Sequence, residues 1–336
     1  MATIQKESIS LTDAPAIPGL AFRGFAGESD YPKMLAVIDG SKAFDGTERS
    51  ETLEEMARNY SHLTNCDPYT DMLFAEINGE VVGYNRVFWE TLDDGTRTYI
   101  LFGFLLPDWR RKGLGAAMLR HAEARLRQIA ATHPEPGERY FQSFAEDTET
   151  CALALLESQG YTPARYGLSM VRDLSEPFPD APMPAGLEVR PVTEAHLPAI
   201  HAAFAEAFRD HWGFHEEPLE NFLRWAEEPT YMPQLWKIAW AGDEVAGTVL
   251  NFFNEAENIE YGRKRGLTET ISVRRPWRKM GLARALLVQS MKMFKEMGMT
   301  ETALRVDAEN LSGALKLYQS VGYKEVKRHI TFRKPL

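Results

Sequence analysis

The sequence is poor in the features from which several classes of protein are built. Its 336 residues include two cysteines, Cys66 and Cys151, which excludes a disulfide framework and a cysteine-based zinc site. No run of about 20 apolar residues is present, so no membrane span or membrane partner is expected. Residues 1–19 lack an apolar core of signal-peptide length and contain acidic residues, and we expect this polar tail to precede a cytoplasmic protein.

Positive charge is scarce over the chain as a whole. The sequence has 38 Lys and Arg against 48 Asp and Glu, a formal net charge of −10. This balance argues against a nucleic acid partner, because binding to a phosphate backbone needs a broad basic face. The exception is the segment from Arg274 to Arg284, which has five basic residues and no acidic one. A small phosphorylated ligand suits this segment better than a polymer does.

The chain repeats itself. Four pairs of landmarks recur in the same order with offsets of 162 to 168 residues: LAFRGF and LEVRPV, EINGEVVGY and WAGDEVAGT, PDWRRKGLGAAML and RPWRKMGLARALL, LLESQGY and LYQSVGY. A tandem duplication explains them. The Pro-rich stretch SEPFPDAPMPAG separates the copies. We therefore divide the chain into a tail (1–19), a first domain (20–175), a linker (176–185) and a second domain (186–336).

Each copy has the same predicted order of elements: strand, helices, hairpin, strand, Gly-rich turn, helix, strand, helix, strand. Apolar residues recur at helical spacing after the turn, for example Leu119, Ala122 and Leu126 in the first copy. A strand that leads into a helix through a Gly-rich turn indicates a mixed α/β sheet. The fold class expected for each domain is therefore α/β.

The Gly-rich turn of the second copy has the composition of a phosphate site. The strand Glu269–Val273 precedes a basic turn, and a helix follows it. The first turn of a helix leaves backbone N–H groups without partners and carries partial positive charge, which suits a pyrophosphate. The residues proposed to hold it are Arg278, Lys279, Met280, Gly281, Leu282 and Ala283. Neither copy has a GK[ST] ending or a GxGxxG fingerprint.

These residues resemble the GNAT acyltransferase superfamily, whose acyl-CoA motif reads [QR]xxGx[GA]. Matches occur in both copies: Arg278, Gly281 and Ala283, and Arg110, Gly113 and Gly115. The segment LRVDAENLSGALKLYQSVGY resembles the second cofactor motif of the family, with Asn310 and Tyr318 at its characteristic positions. Asn310 and Tyr318 are eight residues apart, one more than in the commonest version.

The resemblance covers nearly the whole chain and implies two tandem GNAT-like domains. Each would have a mixed, mostly antiparallel sheet flanked by helices. It also implies acetyl-CoA as co-substrate, no metal, and a strand that splays from its neighbour so that Ile271 and Val273 contact the pantetheine arm. The acceptor would be a primary amine of a small molecule or peptide, and the protein a monomer or homodimer.

The two copies differ where chemistry is expected. Aligning Gly160 with Gly322 places Leu156 opposite Tyr318, and aligning Gly113 with Gly281 places Leu101 opposite Glu269. An attacking amine must lose a proton, and a departing thiolate benefits from gaining one. We therefore expect catalysis in the second copy, with Glu269 as base and Tyr318 as acid. On a regular strand Glu269, Ile271 and Val273 would share one face. Neither cysteine falls in a matched motif, which favours direct transfer.

Other interpretations remain open at this stage. Tyr318 could pack against the sheet, Glu269 could form an ion pair, and His211 with His215 could bind a metal or cover the acceptor. Arg263–Arg265 could bind cofactor phosphate or form a solvated turn. The chain could also be a non-catalytic acyl-CoA-binding or interaction module. The rival bases are Glu255, Glu257 and Glu260.

Overall fold

A computed structural model describes residues 8–134, 137–310 and 313–336, which form an α/β structure. The strands are β1 (Ser8–Ile9), β2 (Leu20–Arg23), β3 (Met72–Ile77), β4 (Glu80–Thr91), β5 (Arg97–Leu105), β6 (Arg139–Glu146), β7 (Thr162–Asp173), β8 (Glu188–Arg190), β9 (Lys237–Ala241), β10 (Glu244–Phe252), β11 (Arg265–Val273), β12 (Glu301–Asp307) and β13 (Lys324–Pro335). The helices are α1 (Tyr31–Asp45), α2 (Leu53–Ser61), α3 (Pro68–Asp71), α4 (Leu114–Ala130), α5 (Thr150–Ser158), α6 (Leu197–Phe208), α7 (Leu219–Arg224), α8 (Glu255–Glu260), α9 (Leu282–Glu296) and α10 (Ala314–Ser320). No helix within these ranges is long and apolar enough to cross a membrane.

The chain forms two compact units whose limits differ from those of the sequence repeats. Unit 1 comprises the chain up to Arg165 together with His329–Leu336, and unit 2 comprises Tyr166–Arg328. The end of the second sequence copy therefore belongs to unit 1, and the end of the first copy belongs to unit 2. The repeat explains the ancestry of the chain, whereas the units describe where its residues pack.

Unit 1 is a sheet with helices on both faces. Its strand order is β1-β2-β3-β4-β5-β6-β13, antiparallel throughout except for the parallel pair β5 and β6. On one face the α4 residues Leu119 and Leu126 are buried in a cluster with strand residues that include Phe332 of β13. The other face is covered by α1 and α2, through residues such as Met34 and Met56.

Unit 2 repeats this design. Its strand order is β8-β9-β10-β11-β12-β7, with β11 and β12 as the parallel pair. Leu282 and Leu286 of α9 pack on one face, and Leu197 of α6 and Phe222 of α7 pack on the other. A mixed, mostly antiparallel sheet flanked by helices is thus confirmed in both units.

The parallel strands of each unit separate after a short paired stretch. In unit 2, Arg265–Leu267 pair with Glu301–Ala303, and no further pairing of β11 with β12 occurs in the described residues. In unit 1, Arg97–Ile100 pair with Arg139–Gln142 in the same way. Because an unpaired strand edge leaves backbone N–H and C=O groups available, the edge of β11 after Leu267 and that of β5 after Ile100 can hydrogen-bond an extended ligand.

Candidate active site

The turn before α9 is shaped to bind an anion. Lys279 and Gly281 both have left-handed backbone conformations, with φ of 63° and 89°, and Gly281 is the residue before the helix. Alternating conformations of this kind direct successive N–H groups toward one point. Among the described residues, the N–H groups of residues 279–284 have no hydrogen-bond acceptor. The helix dipole adds partial positive charge at the same place.

One side chain of this turn anchors it to neighbouring backbone, and others are exposed to solvent. The guanidinium of Arg278 donates to the carbonyl oxygens of Val273 and Ala207, at 3.0 and 3.2 Å, and lies near Asp210. Arg278 thus holds the turn to the end of β11, and its guanidinium is engaged by protein oxygens. Lys279 and Met280 are exposed. A Cβ built on Gly281 would meet nothing within 4 Å, so this part of the backbone faces open space.

The matching turn of unit 1 has the same conformation. Arg111 and Gly113 are left-handed, with φ of 60° and 85°. Arg110 donates to the carbonyl of Leu105 at 2.7 Å, as Arg278 does to that of Val273 in unit 2, and it also donates to Asp45 at 2.8 Å. One difference is that a Cβ built on Gly113 would lie 3.6 Å from Pro15. The first copy therefore retains the turn, with a residue of the N-terminal segment beside it.

Glu269 lies next to an irregularity in β11. The register of β10 and β11 shifts between the pairs Thr248–Ser272 and Leu250–Glu269, so β11 contains one extra residue. Thr270, in between, has a left-handed φ of 47°, and its carbonyl accepts a hydrogen bond from Thr248 Oγ1 at 2.8 Å. This is a β-bulge, which reverses the faces that later side chains occupy.

The bulge makes one expectation wrong. Ile271 and Val273 pack with Leu282 of α9, whereas Glu269 is paired with Leu250, which packs with α6 and α7. Glu269 therefore lies on the opposite face from Ile271 and Val273, although a regular strand would put all three together. The physical reason is the extra residue, because side chains alternate only while the pleat is uninterrupted.

The bulge also changes which residue of unit 1 corresponds to Glu269. The β4–β5 register is continuous and pairs Arg86 with Phe102 at the position of Leu250 and Glu269. Leu101, the counterpart by sequence alignment, is buried with α4 on the other face. The structural counterpart of Glu269 is thus Phe102, so this strand position in unit 1 still lacks a carboxylate.

Glu269 and Tyr318 are electrostatically coupled, and burial disfavours the charged form of each. Burial raises the pKa of Glu269 to about 7, against the opposing charge and backbone N–H of Arg305. Burial also raises the pKa of Tyr318 well above its usual value, and the charges of Tyr323 and Glu269 raise it further. A carboxyl that titrates near neutrality can accept a proton, and a phenol that stays protonated can donate one.

The hydroxyl of Tyr318 is available for a ligand. Its side chain is 5% exposed, and its ring packs against that of Tyr323 with centroids 6.2 Å apart. Tyr323 hydrogen-bonds Thr268 Oγ1 at 2.8 Å, whereas the Tyr318 hydroxyl has no hydrogen-bond partner among the described residues. Two neighbouring tyrosines therefore differ: one is satisfied within the protein and the other is not.

The remaining candidate residues are placed as follows. Asn310 Nδ2 lies 3.4 Å from His211 Nε2, and the His211 ring packs on Phe208 at the end of α6. His215 is exposed, and the described part of the chain contains no group of three potential metal ligands. Of the rival bases on α8, Glu257 forms an ion pair with Arg263, and Glu255 is exposed.

Sequence reasoning missed several residues of this site. Thr248 and Ser272, whose side-chain oxygens are 2.8 Å apart beside the bulge, carry no motif. Arg305, which opposes the rise in the pKa of Glu269, lies on a strand that showed no functional pattern. Threonine favours regular strands, so nothing in the local sequence indicates that Thr270 leaves the pleat.

The sequence matches the model of the Acetyltransferase (GNAT) family twice, over residues 41–146 and 197–323. These segments together cover more than half of the chain. The protein therefore belongs to the GNAT acetyltransferase family, is an N-acetyltransferase by that membership, and has two GNAT regions in tandem. The resemblance inferred from the sequence motifs is confirmed.

Two sets of proteins are similar to this chain, one by sequence and one by structure. The mycothiol acetyltransferase of Salinispora arenicola is 26% identical over 313 residues, which is 91% of this chain and 94% of that protein. The mycothiol acetyltransferase of Thermobispora bispora is 26% identical over 68% of this chain and 73% of its own length. A solved GCN5-related N-acetyltransferase from Sphaerobacter thermophilus superposes with a TM-score of 0.74 at 26% identity, and 96% of each chain is covered. A tandem GNAT protein from the clavulanic acid biosynthesis pathway shares the fold, with a TM-score of 0.66 at 16% identity over 94% of this chain and 98% of its own.

Proposed function

We propose that this protein transfers an acetyl group directly from acetyl-CoA to a primary amine of a small molecule or peptide, and that unit 2 performs the reaction. The observation that carries the proposal is the pairing of Glu269, with a pKa near 7, and Tyr318, with a free hydroxyl, beside a separated strand pair. Family membership supplies the reaction class, and the site supplies the residues.

The residues of unit 2 fit the co-substrate. The free N–H groups of residues 279–284 would receive the pyrophosphate, and exposed Lys279 would add positive charge. The unpaired edge of β11 around Ile271 and Val273 would hydrogen-bond the pantetheine arm. The remaining proposed contacts are Arg278, which fixes the turn through Val273, and Asn310. In unit 1, Arg110, Gly113 and Gly115 form the corresponding second turn.

Glu269 would remove the proton of the attacking amine. A lysine-like amine with a pKa of about 10.4 is neutral in roughly one molecule in 2500 at pH 7, a handicap near 4.6 kcal/mol. A base with a pKa close to the working pH reduces this handicap most effectively. Burial supplies that pKa here, and the bulge at Thr270 turns the carboxyl to the face opposite α9.

Tyr318 would supply the proton for the departing group. The carbon–sulfur bond of the thioester breaks as the new amide bond forms, and the sulfur leaves more readily when a hydroxyl donates to it. The amine proton goes to Glu269, and the thiolate is neutralised from Tyr318. Proton exchange with solvent then restores both groups.

A panel of primary amines tests the proposal. Purified full-length protein is incubated with acetyl-CoA and each amine, and release of the CoA thiol is followed. At least one amine, among small molecules and peptide N-termini, is expected to give turnover that the double variant E269Q/Y318F loses. The relatives named mycothiol acetyltransferase make the deacetylated form of mycothiol a first amine to include. Acetyl-CoA binding without turnover on any amine would instead indicate a non-catalytic acyl-CoA-binding module.

A further inference from the structure

Unit 1 has an arginine enclosed by aromatic rings on the sheet face opposite α4. The guanidinium carbon of Arg86, on β4, lies 4.9 Å from the ring centre of Tyr60, 4.8 Å from that of Phe102 and 6.0 Å from that of Phe88. Its Nη1 donates to Asn59 at 3.2 Å. Its Nε is buried and has no hydrogen-bond partner in the described part of the chain.

This guanidinium also lacks a paired carboxylate. Two other arginines of unit 1 are ion-paired: Arg23 contacts Asp30 and Glu76, and Arg110 contacts Asp45. For Arg86, no carboxylate of the described residues lies within 4 Å. Arg86 is half-buried, and its buried Nε lies among aromatic rings without an acceptor, which is unfavourable for a charged group. Such a group in a native structure calls for an explanation.

Two of the titratable groups that interact with Arg86, Tyr60 and Cys66, are disposed to be neutral. Burial raises the pKa of Tyr60 well above its usual value and that of Cys66 to about 11. Burial and the charge of Glu55 raise the pKa of Glu51, although Arg86 lowers it. Neither Tyr60 nor Cys66 therefore supplies a negative charge at neutral pH, and Glu51 makes no ion pair with Arg86.

The position of Arg86 in the sheet is informative. Arg86 and Phe102 form the pair that corresponds to Leu250 and Glu269 in unit 2. Where unit 2 presents a carboxyl toward the proposed amine, unit 1 presents a guanidinium beside phenylalanine. The charge of the site is inverted, so a ligand of unit 1 would be an anion rather than an amine.

We propose that unit 1 binds a small carboxylate with a flat apolar body, in a site that is separate from acetyl transfer. The carboxylate would accept hydrogen bonds from the Nη groups of Arg86, whose planar fork suits two oxygens. The apolar body would lie against Phe88, Phe102 and Phe104, which are partly exposed and pack edge to face with one another. The site follows from charge, exposure and register alone, and the proposed function of unit 2 is not needed for it.

Benzoate and its neutral isostere benzamide test this site. Binding to the full-length protein is measured by ligand-observed NMR titration. Benzoate is expected to bind wild type at least tenfold more tightly than benzamide, and Arg86→Gln is expected to weaken benzoate binding by at least tenfold. Glu51→Gln, which removes a competing carboxyl, should preserve or strengthen it. Arg86→Lys should give intermediate binding, because a lysine keeps the charge and loses the fork.

Folding is checked independently of the ligand. The far-ultraviolet circular dichroism of each variant should match wild type, which shows that Arg86→Gln remains folded. If Arg86→Gln is not folded, the proposal is tested instead by comparing the affinities of benzoate and benzamide for wild type and for Glu51→Gln. The proposal is overturned by equal affinity for the two probes, by benzoate binding that a folded Arg86→Gln retains, or by no benzoate binding at about 10 mM.

Discussion

A single carboxyl, Glu269, is expected to set the pH dependence of acetyl transfer. As the base it must be deprotonated, so wild-type kcat/KM should rise with pH through an apparent pKa of about 7. Glu269→Gln should lower kcat/KM by about 10² to 10⁴ at pH 7, the usual scale for a lost general base. Much of this loss should be recovered near pH 10, where the amine deprotonates without help. The measurement is the pH profile with saturating acetyl-CoA.

The matched control for this prediction is Glu255→Gln, which removes an exposed carboxyl from α8, close in sequence to β11. It should leave both the inflection near pH 7 and the rate unchanged. A wild-type profile for Glu269→Gln would show that another group accepts the proton.

The same carboxyl should affect stability, with a definite sign. The folded pKa of about 7 lies above the ordinary value of 4.5, so between these pH values the folded protein keeps a proton that the unfolded chain loses. Stability therefore falls as pH rises through this window, and the penalty is complete above pH 7. Glu269→Gln carries no such penalty and should gain ~1–3 kcal/mol over wild type at pH 8.5 and much less at pH 5. Thermal unfolding without ligands at the two pH values checks this, and a gain independent of pH would contradict it.

Tyr318 and Tyr323 provide an internal comparison of two buried hydroxyls. Tyr318→Phe should reduce kcat by about 10² or more with little change in CoA affinity, because the lost group donates only as the thiolate leaves. Tyr323→Phe removes a hydroxyl that Thr268 already satisfies, so it should cost about 1 kcal/mol of stability and leave kcat close to wild type. Steady-state kinetics and CoA calorimetry measure both effects. Equal kcat for wild type and Tyr318→Phe, with chemistry rate-limiting, would remove Tyr318 from the mechanism.

At the scale of elements, the turn before α9 is expected to govern CoA affinity. Gly281→Glu places bulk and negative charge where the pyrophosphate would lie, and it should weaken CoA binding by about tenfold or more. Gly298→Glu is the matched control, because Gly298 lies just beyond the other end of α9 with a similar left-handed φ, 83° against 89°, and equally open surroundings. The two variants should lose similar stability, since both strain the backbone. Calorimetry that finds the same CoA affinity for both would show that the site lies elsewhere.

The sequence predicted the turn before α9 more fully than it predicted β11, the strand that precedes this turn. Gly281 and the basic residues around it predict a phosphate turn, because glycine and charge have local meaning. The role of Arg278 could not be predicted, since its guanidinium reaches Ala207, a residue distant in the chain. The bulge at Thr270 could not be predicted from the sequence either, because it depends on the register between two strands and not on the residues of one strand. That register decides which face Glu269 occupies, so the sequence identified the carboxyl without locating it.

For the whole molecule, the repeat predicted two similar sheets, but it did not predict which residues complete each one. The segment His329–Leu336, from the second copy, lies in unit 1, where His329–Pro335 pair with β6. The stretch Gly167–Asp173, from the first copy, pairs with β12 in unit 2. Both strands have the alternating pattern that any sheet edge would accept, and choosing between two similar edges needs long-range information. The hydrophobic pattern therefore predicts that both segments form strands, and tertiary packing determines which sheet each strand joins.

Each unit thus contains a strand from the other sequence copy. A core mutation is therefore expected to destabilise the unit in which its side chain packs, whichever copy encodes it. Phe332, 1% exposed, packs with Leu101 and Leu126 of unit 1, and Met170, 0% exposed, packs with Tyr318 of unit 2. Phe332→Ala should cost about 3–5 kcal/mol and Met170→Ala about 2–5 kcal/mol, the range for cavities in a core.

Hydrogen exchange read by mass spectrometry separates the two effects, because local protection reports the stability of each cooperative region. Phe332→Ala should speed exchange in α4 and β5, and Met170→Ala should speed exchange in α9 and β12. Leu223→Ala, which truncates an exposed side chain of α7, should change neither. The assignment of Met170 to unit 2 is correct only if Met170→Ala, a change in the first sequence copy, speeds hydrogen exchange in the unit that contains Tyr318. Faster exchange confined to α4 and β5 in Met170→Ala would show that the cores follow the sequence copies instead.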